Sequence, residues 1–364
     1  MPRHSQPKHA HVFATLQREI GSGRWKRGER LPSESELVDR FGLSRITVGR
    51  AMRDLQAAGI VDRRAGSGSY VSGVSAQPSL AFGLLIPNLG ESEIFEPICR
   101  GMMASPLARE HDLLWGSAPS SGASRESAAW ALCQHYIERR VSGVFFAPLE
   151  FSDASAATNQ RIGDALDAAG IPLVLLDRPL HPWPEEGRHD LVGIDNRRAG
   201  YVMATHLLRL GCTRLAFVGL PNAASTVNAR ETGYREAARR FGLSPEQARV
   251  HRVDPDGAGA VATIMGDDQP HGIVCANDRT AGQLMHAMRR LGFQVPRDTR
   301  LVGIDDVEYA RLLPVPLTTL RQPTQHMGET ALAAMLDRVQ HRELPPRDIR
   351  LHCEVVVRES CGAR

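Results

Sequence analysis

The sequence predicts an α/β fold in two parts, a small N-terminal head and a large body. The 364 residues exceed the length of one ordinary domain. Beyond about residue 80, apolar segments of strand length alternate with amphipathic segments of helix length. This alternation is typical of parallel sheets that carry helices on both faces. Ahead of that point, three helical patterns precede two short strand patterns, which indicates a separate small domain.

Charge is divided unevenly between the two parts. Residues 1–73 contain 13 Lys or Arg against 7 Asp or Glu, whereas the remainder contains 31 against 34. A basic head on a mildly acidic body indicates that the head binds a polyanion. The chain has only Lys8 and Lys26. The body therefore has neither a lysine for Schiff-base chemistry nor a phosphate loop of the GxxxxGK type.

Several other classes of protein are not indicated. The sequence has no run of about 18 apolar residues, and its N-terminus lacks an apolar stretch followed by a small-residue cleavage site. The 6 cysteines lie far apart, without the paired spacing of a zinc site or a small disulfide scaffold. We therefore expect a cytoplasmic protein with reduced thiols, no metal and no cofactor.

Helix signals follow one another along the head. The segment HVFATLQREI has apolar residues at a spacing of four, which predicts an amphipathic helix that Gly21 ends. Ser33 and Glu36 have the spacing of a capping box and predict the start of a second helix. Ser44 is expected to cap a third helix, which has its own buried stripe.

Two short strands, IVDRR and SYVSG, complete a winged helix-turn-helix. In this arrangement the N-terminal residues of the last helix meet base edges in the major groove of DNA. Arg45 suits a guanine edge or a phosphate, and the hydroxyls of Ser44 and Thr47 suit phosphate oxygens. The alternative is that Ser44 is only a helix cap and that the arginines are only solvated. The predicted DNA-binding residues are Ser33, Ser44, Arg45, Thr47, Arg50, Arg64 and Gly66.

The head resembles the DNA-binding domain of the GntR family of bacterial transcription factors over about residues 9–72. The matching motifs are GxxLPSE, FGLSRITV, LxxxGI and GSGSYV, in that order. The resemblance implies DNA contacts from Arg45, Thr47 and Gly66. It departs from the family pattern at Ser35 and at Gly49, where the family usually or often has arginine, so we expect a different operator sequence.

Polar residues follow the predicted strands of the body. Because ligands of open α/β sheets bind outside the carboxyl ends of the strands, these residues predict a binding site, and Arg230 joins them from a helix. Carboxylates, amides and a guanidinium suit a ligand with many hydroxyls, with Phe95, Trp115 or Trp183 as its aromatic wall. The alternative is that these residues only cap the next helices. They are Asn88, Asp177-Arg178, Asp195-Asn196, Asn277-Asp278 and Asp305-Asp306.

From Phe82 onward the chain resembles the effector domain of the LacI/GalR family, which has the fold of periplasmic sugar-binding proteins. The motifs include GLLIPN, VLLDRP, ARETGYREA, ANDRTA and LVGIDD. One departure is Pro106, which is expected to kink the first helix of the body. The resemblance also implies a dimer built partly from the helix after Gln325. The ligand contacts that it implies are Asp195, Arg230, Asn277, Asp305 and an aromatic contact near Phe95.

We therefore predict a regulator of transcription that is not an enzyme. It is expected to repress carbohydrate-use genes as a homodimer on a roughly palindromic double-stranded DNA operator, until a sugar-like effector releases it. The open alternatives are a nucleobase or other small polar effector, and an enzyme on a related scaffold. The predicted domains are the head at 1–73, a linker at 74–79 and the body at 80–364, with lobe one at about 80–209 and 324–351 and lobe two at about 210–320 and 352–364.

Overall fold

The computed structural model forms two compact units, which divide between Leu80 and Ala81. Each unit is described by itself. The described residues are 8–21, 24–26, 28–64, 67–72, 79–86, 93–116, 124–150, 153–181, 184–185, 187–266 and 268–363.

The head contains three helices and an antiparallel two-stranded wing, as the sequence predicts. The helices are α1 (Lys8–Gly21), α2 (Glu34–Phe41) and α3 (Arg45–Ala57), and the strands are β1 (Val61–Arg64) and β2 (Gly68–Val71). Apolar side chains from all of these elements form one core. Gly42 ends α2 in the left-handed backbone conformation, with φ 62°, which glycine adopts without steric cost.

The body contains twelve of the strands and eight of the α-helices in the described residues. The strands are β3 (Ala81–Leu85), β4 (Asp112–Trp115), β5 (Gly143–Phe146), β6 (Leu173–Leu176), β7 (Asp190–Ile194), β8 (Leu215–Gly219), β9 (Ala248–Arg252), β10 (Gly272–Cys275), β11 (Arg300–Asp305), β12 (Thr318–Arg321), β13 (Asp348–Leu351) and β14 (Glu354–Val356). The helices are α4 (Phe95–Ala104), α5 (Arg125–Glu138), α6 (Asp153–Ala168), α7 (Asn196–Arg209), α8 (Ser225–Arg240), α9 (Ala258–Met265), α10 (Asp278–Arg290) and α11 (Thr324–Gln340).

The body strands form two six-stranded sheets. The first has the order β13-β7-β6-β5-β3-β4 and is parallel throughout. The second has the order β14-β12-β11-β10-β8-β9, and only β14 runs antiparallel to its neighbour. Each sheet has its own apolar core. This arrangement confirms the predicted α/β class with two parallel sheets flanked by helices.

The apolar segments that predict strands in the body are AFGLLIP, DLLWGSA, SGVFFAPL, IPLVLLD, LVGID, RLAFVGL, GIVCAND and RLVGIDD. Four strands lie outside these segments, namely β9, β12, β13 and β14. Three of them, β9, β13 and β14, lie at sheet edges and carry polar, half-buried or exposed side chains. Such strands lack the continuous apolar run of a central parallel strand. Pro106 interrupts the first helix of the body, as expected, but the helix ends before the proline and is not kinked by it. Ser105 is extended (ψ 134°), as residues before proline prefer, so α4 ends at Ala104 and a short 3-10 helix, Pro106–Glu110, begins.

Candidate functional site

The start of α3 is held by two hydroxyl side chains. Ser44 Oγ accepts a hydrogen bond from the Thr47 amide at 3.3 Å and lies 2.9 Å from Thr47 Oγ1. Ser33 caps α2 in the same way, with its Oγ 3.3 Å from the Glu36 amide. These caps satisfy helix amides that would otherwise lack a partner. They fix the turn between α2 and α3 and leave the first residues of α3 exposed.

The three predicted arginines are all exposed, two of them on α3 and the third at the end of β1. The side chain of Arg45 is 78% exposed, and its Nε lies 3.9 Å from Glu34 Oε2. Arg50 is exposed and has no hydrogen bond or ion pair with another described residue. The Arg64 guanidinium lies over the Tyr70 ring, 4.7 Å from its centroid. Exposed guanidinium groups with weak partners are available for phosphates and base edges.

The predicted residue Gly66 lies outside the described residues. The wing next to it is described, and Arg63 there pairs with Glu34 at 2.5 Å. Glu34 is therefore close to Arg63 and to Arg45, so the wing and the two paired helices are joined by one carboxylate.

The body contains a cavity of about 420 Å³ at the carboxyl ends of strands from both sheets. This is where open α/β sheets bind ligands. Four of the five predicted ligand residues line it, together with Asp177 and Arg178, which follow β6. The four are Phe95, Arg230, Asn277 and Asp305.

Arg230 is buried and connects several elements at the cavity. Its Nε donates to Asn196 Oδ1 at 2.8 Å, its Nη1 donates to the Ala276 carbonyl at 2.6 Å, and its Nη2 lies 3.5 Å from Asp305 Oδ1. Asp305 also accepts a hydrogen bond from Gln322 Nε2 at 2.7 Å. These partners hold the Arg230 guanidinium in one orientation. The direction in which its N–H groups can donate to a ligand is therefore fixed by the protein.

Asp177 and Arg178 also line the cavity, although the predicted set of ligand contacts omits them. Both are at most 6% exposed, Asp177 Oδ1 has no hydrogen-bond partner among the described residues, and Arg178 pairs with Glu150 and lies over the Phe95 ring, 5.4 Å from its centroid. Burial raises the pKa of Asp177 to about 6 and lowers the pKa of Arg178 to about 9. Their position directly after a buried strand is the signal that places both among the polar residues from which the sequence predicts the site.

The backbone is strained at two of the cavity carboxylates. Asp177 has φ 68° and Asp305 has φ 129°, in the region that favours glycine. Strained conformations of this kind cost about 1–3 kcal/mol and occur preferentially at binding and active sites. The positions of these two carboxylates are therefore imposed by the surrounding sheets.

The structure does not bring Asp195 to the cavity. Its Oδ1 accepts the Arg198 amide at 2.9 Å and caps α7, and Arg350 Nη1 lies 4.0 Å from its other oxygen. Asn277 also caps a helix, by accepting the Thr280 amide at 2.9 Å, yet it lines the cavity. Among the aromatic candidates, Trp115 does not line the cavity, and Trp183 lies outside the described residues, as does Asn88.

The chemistry available at the cavity is hydrogen bonding to a polar ligand beside one aromatic ring.

In the part of the chain that the structure describes, no group of His, Cys, Asp and Glu is arranged to hold a metal ion. None of the described helices is long and apolar enough to cross a membrane.

Comparison with known proteins identifies both units. Residues 8–71 match the gntR family of bacterial regulatory proteins, and residues 204–361 match the periplasmic binding protein-like domain. The arabinose metabolism transcriptional repressor of Geobacillus stearothermophilus is 26% identical over 373 residues, which cover 99% of each chain. The chain is a transcription regulator. It joins a GntR-type DNA-binding head to an effector body of the periplasmic-binding-protein-like, LacI type.

Other relatives match about three quarters of the regulator. The HTH-type transcriptional regulator MalR of Streptomyces coelicolor is 28% identical over 77% of this chain and 80% of its own. A LacI family transcriptional regulator from Enterococcus faecium, solved with bound ribose, is 25% identical with a TM-score of 0.63. It covers 77% of this chain and 98% of its own.

Proposed function

We propose that this regulator represses carbohydrate-use genes and that a sugar-like effector releases it from its operator. The observation that carries the proposal is the cavity. Its carboxylates accept hydrogen bonds from hydroxyl groups, its amide donates and accepts, and Arg230 donates in a fixed direction. The Phe95 ring supplies an apolar face for the C–H groups of a sugar ring.

The names of the relatives support a carbohydrate effector. One relative that aligns over both full lengths is named for arabinose metabolism, and one structure with the same body holds ribose. In this chain, Phe95, Arg230, Asn277 and Asp305 are the proposed effector contacts, to which the geometry adds Asp177.

On the DNA side, two heads of a homodimer are proposed to bind a roughly palindromic operator in the cytoplasm. The dimer is proposed to form partly through α11, the helix after Gln325. Half-site spacing then follows from the two-fold axis of the dimer. Arg45 is assigned to a base edge or a phosphate, and the remaining members of the set to the DNA backbone. These are Ser33, Ser44, Thr47, Arg50, Arg64 and Gly66.

Effector and operator affect each other through the state of the body. An effector held by both sheets favours one arrangement of the lobes, and release follows only if the operator-bound state has a lower effector affinity. Couplings of this type are typically about 1–3 kcal/mol, or about 5-fold to 150-fold in affinity.

The function is tested by measuring DNA release. An operator is first selected from randomised duplex DNA with the full chain, and binding is then followed by fluorescence anisotropy with a panel of sugars, sugar phosphates and nucleobases. We expect a sugar to weaken operator binding and to raise the melting temperature of the protein, because it binds only the folded form. Release by a nucleobase and by none of the sugars would contradict the carbohydrate assignment.

The effector site is tested with Arg230→Ala. We expect this variant to bind the operator with unchanged affinity and to lose release by the effector, because Arg230 lies in the body and connects the cavity groups. The matched control is Arg235→Ala on the same helix, an exposed arginine that pairs with Glu231 and does not line the cavity. Release of Arg230→Ala at the normal effector concentration would remove Arg230 from the site.

A further inference from the structure

The effector cavity continues into a second cavity of about 710 Å³. Four residues line both, namely Glu93, Arg125, Arg279 and Gln283. The two cavities therefore form one continuous cleft. Ligand sites in proteins commonly occupy about 300–1,000 Å³. The first cavity alone lies within this range, and the cleft that it forms with the second cavity has room for a ligand of more than one sugar ring.

One face of α10 runs along this cleft. Arg279, Gln283 and His286 are separated by four and three residues and so lie on the same side of the helix. Arg279 and Gln283 line both cavities, and His286 lines only the second. None of the three has a hydrogen bond or an ion pair with another described residue, so their donors and acceptors are available along the whole cleft.

The charge of the second cavity is balanced. Its lining includes two cationic residues, Arg125 and Arg279, and two anionic residues, Glu93 and Asp256. These four side chains carry no net charge, so their charges favour neither an anionic nor a cationic ligand, whereas hydroxyl groups can bind both guanidinium groups and carboxylates. The polar groups of this wall therefore suit a neutral ligand with many hydroxyls.

We propose that the effector is a neutral carbohydrate of at least two rings, with its second ring placed along Arg279, Gln283 and His286. This rests on the proposed function, in which the first ring is held by Arg230 and Asp305. The second ring contributes hydrogen bonds to α10, so a disaccharide binds more tightly than either of its constituent monosaccharides.

The test is isothermal titration calorimetry of the full chain with disaccharides and their constituent monosaccharides. One neutral hydrogen bond corresponds to about tenfold in affinity at most. We expect a disaccharide to bind at least about tenfold more tightly than its monosaccharides. His286→Ala should weaken the disaccharide about fivefold and leave the monosaccharide unchanged. The control is Arg290→Ala, an exposed residue of α10 that lines neither cavity.

The outcomes separate this inference from the proposed function. If a monosaccharide binds as tightly as every disaccharide, or if His286→Ala changes neither affinity, the second ring is absent and the carbohydrate assignment still stands. If none of the sugars binds, the proposed function itself fails, and the two-ring effector fails with it.

A second, independent observation concerns the head. Ile46 is 82% exposed, the largest exposed fraction of any large apolar side chain in the described residues. It lies in the first turn of α3, between Arg45 and Thr47. The next residues on its side of the helix are Gly49, which has no side chain, and Arg50. The apolar side chain of Ile46 thus lies next to a glycine and an arginine on the surface of α3.

The geometry points to Ile46 as a reader of thymine, given the proposed DNA binding by α3. Thymine is the only base that presents an apolar group, its C5 methyl, in the major groove. An isoleucine that contacts this methyl removes both from water. The Arg45 guanidinium cannot supply this contact, and the side chain of Thr47 is less exposed than that of Ile46.

The test replaces each thymine of the selected operator by uracil, which removes only the methyl group. Burial of one methyl corresponds to about fourfold in affinity. We expect one position in each half-site to lose about fourfold with the unmodified protein and to lose nothing with Ile46→Ala, so that the two changes are not additive. Leu312→Ala, a 72% exposed leucine of the body, is the control.

Equal losses with Ile46→Ala and with the unmodified protein, or no position sensitive to uracil, would overturn this contact while leaving DNA binding intact. Failure of the full chain to select any duplex would instead remove the proposed function.

Discussion

Asp177 is a carboxylate whose surroundings oppose its charge. Burial raises its pKa to about 6, and the attraction of Arg230 offsets this only in part. A carboxyl group with this pKa retains a proton between about pH 4 and pH 6 in the folded protein, whereas it has lost that proton in the unfolded chain. The contribution of Asp177 to the free energy of unfolding therefore falls as the pH rises through this window.

Asp177→Asn tests this at the residue scale. The rise of the pKa to about 6 corresponds to about 3 kcal/mol. We expect the variant to be more stable than the unmodified protein by about 2–3 kcal/mol above pH 7, with the difference vanishing near pH 4, where the carboxyl is neutral. Urea unfolding between pH 4 and pH 8 measures the difference, and a constant offset across that range would contradict the argument.

Arg45 has a different role at the same scale, because it is exposed and its nearest carboxylate is 3.9 Å away. Surface pairs of this kind contribute little to stability. Arg45→Ala should therefore leave the melting temperature of the head unchanged and weaken operator binding by about 1–3 kcal/mol. Anisotropy titrations check this against Arg139→Ala, an exposed arginine of the body. Unchanged affinity would place Arg45 outside the interface.

At the scale of elements, α7 and α8 approach each other so closely that only glycine fits between them. A Cβ on Gly200 would lie 1.8 Å from the Arg230 carbonyl, and one on Gly233 would lie 1.8 Å from the Arg197 carbonyl. The glycines thus bring the two backbones into contact next to Arg230. The helices α4 and α11 use Gly101 and Gly328 in the same way.

Gly233→Ala should push α8 away from α7. Overpacking of this kind costs about 1–3 kcal/mol of unfolding free energy, and the shift of Arg230 should weaken effector binding. The matched control is Gly259→Ala in α9. A Cβ there meets no atom within 4 Å, so we expect a neutral or slightly stabilising change. Denaturant unfolding and calorimetry measure both variants, and equal behaviour of the two would contradict the close-contact argument.

At the scale of the whole molecule, the chain divides into two compact units at Leu80 and Ala81. Each unit has its own apolar core, in the head and beneath each sheet of the body. A unit with its own core is expected to fold alone. The regulation proposed above then depends on how the body transmits the presence of effector to the head.

A fragment spanning residues 79–364 should therefore fold and bind the effector with the affinity of the full chain, and it should not bind the operator. An effector at 100 times its Kd should stabilise the fragment by about 2.7 kcal/mol. Thermal unfolding with and without effector measures this. A fragment that fails to fold would show that the body needs the head.

Local sequence signals determined much of this protein. The capping box of Ser33 and Glu36, the cap at Ser44 and the apolar spacing of the head each involve residues within a few positions of one another, and the structure contains all three. Buried central strands were predicted for the same reason, since a continuous apolar run marks them. The rule that ligands bind at strand ends also predicted that Asn277 and Asp305 lie near one another, and both line the cavity.

Only the tertiary structure decided which strand-end residues share the cavity. Asp177 follows β6 and Asp195 follows β7, and the two look alike in sequence. Asp177 lines the cavity, whereas Asp195 caps α7 outside it. The difference depends on sheet order and on the left-handed backbone of Asp177. The sheet order and this backbone conformation both result from contacts between segments that are far apart in the chain. A local sequence pattern cannot predict such contacts.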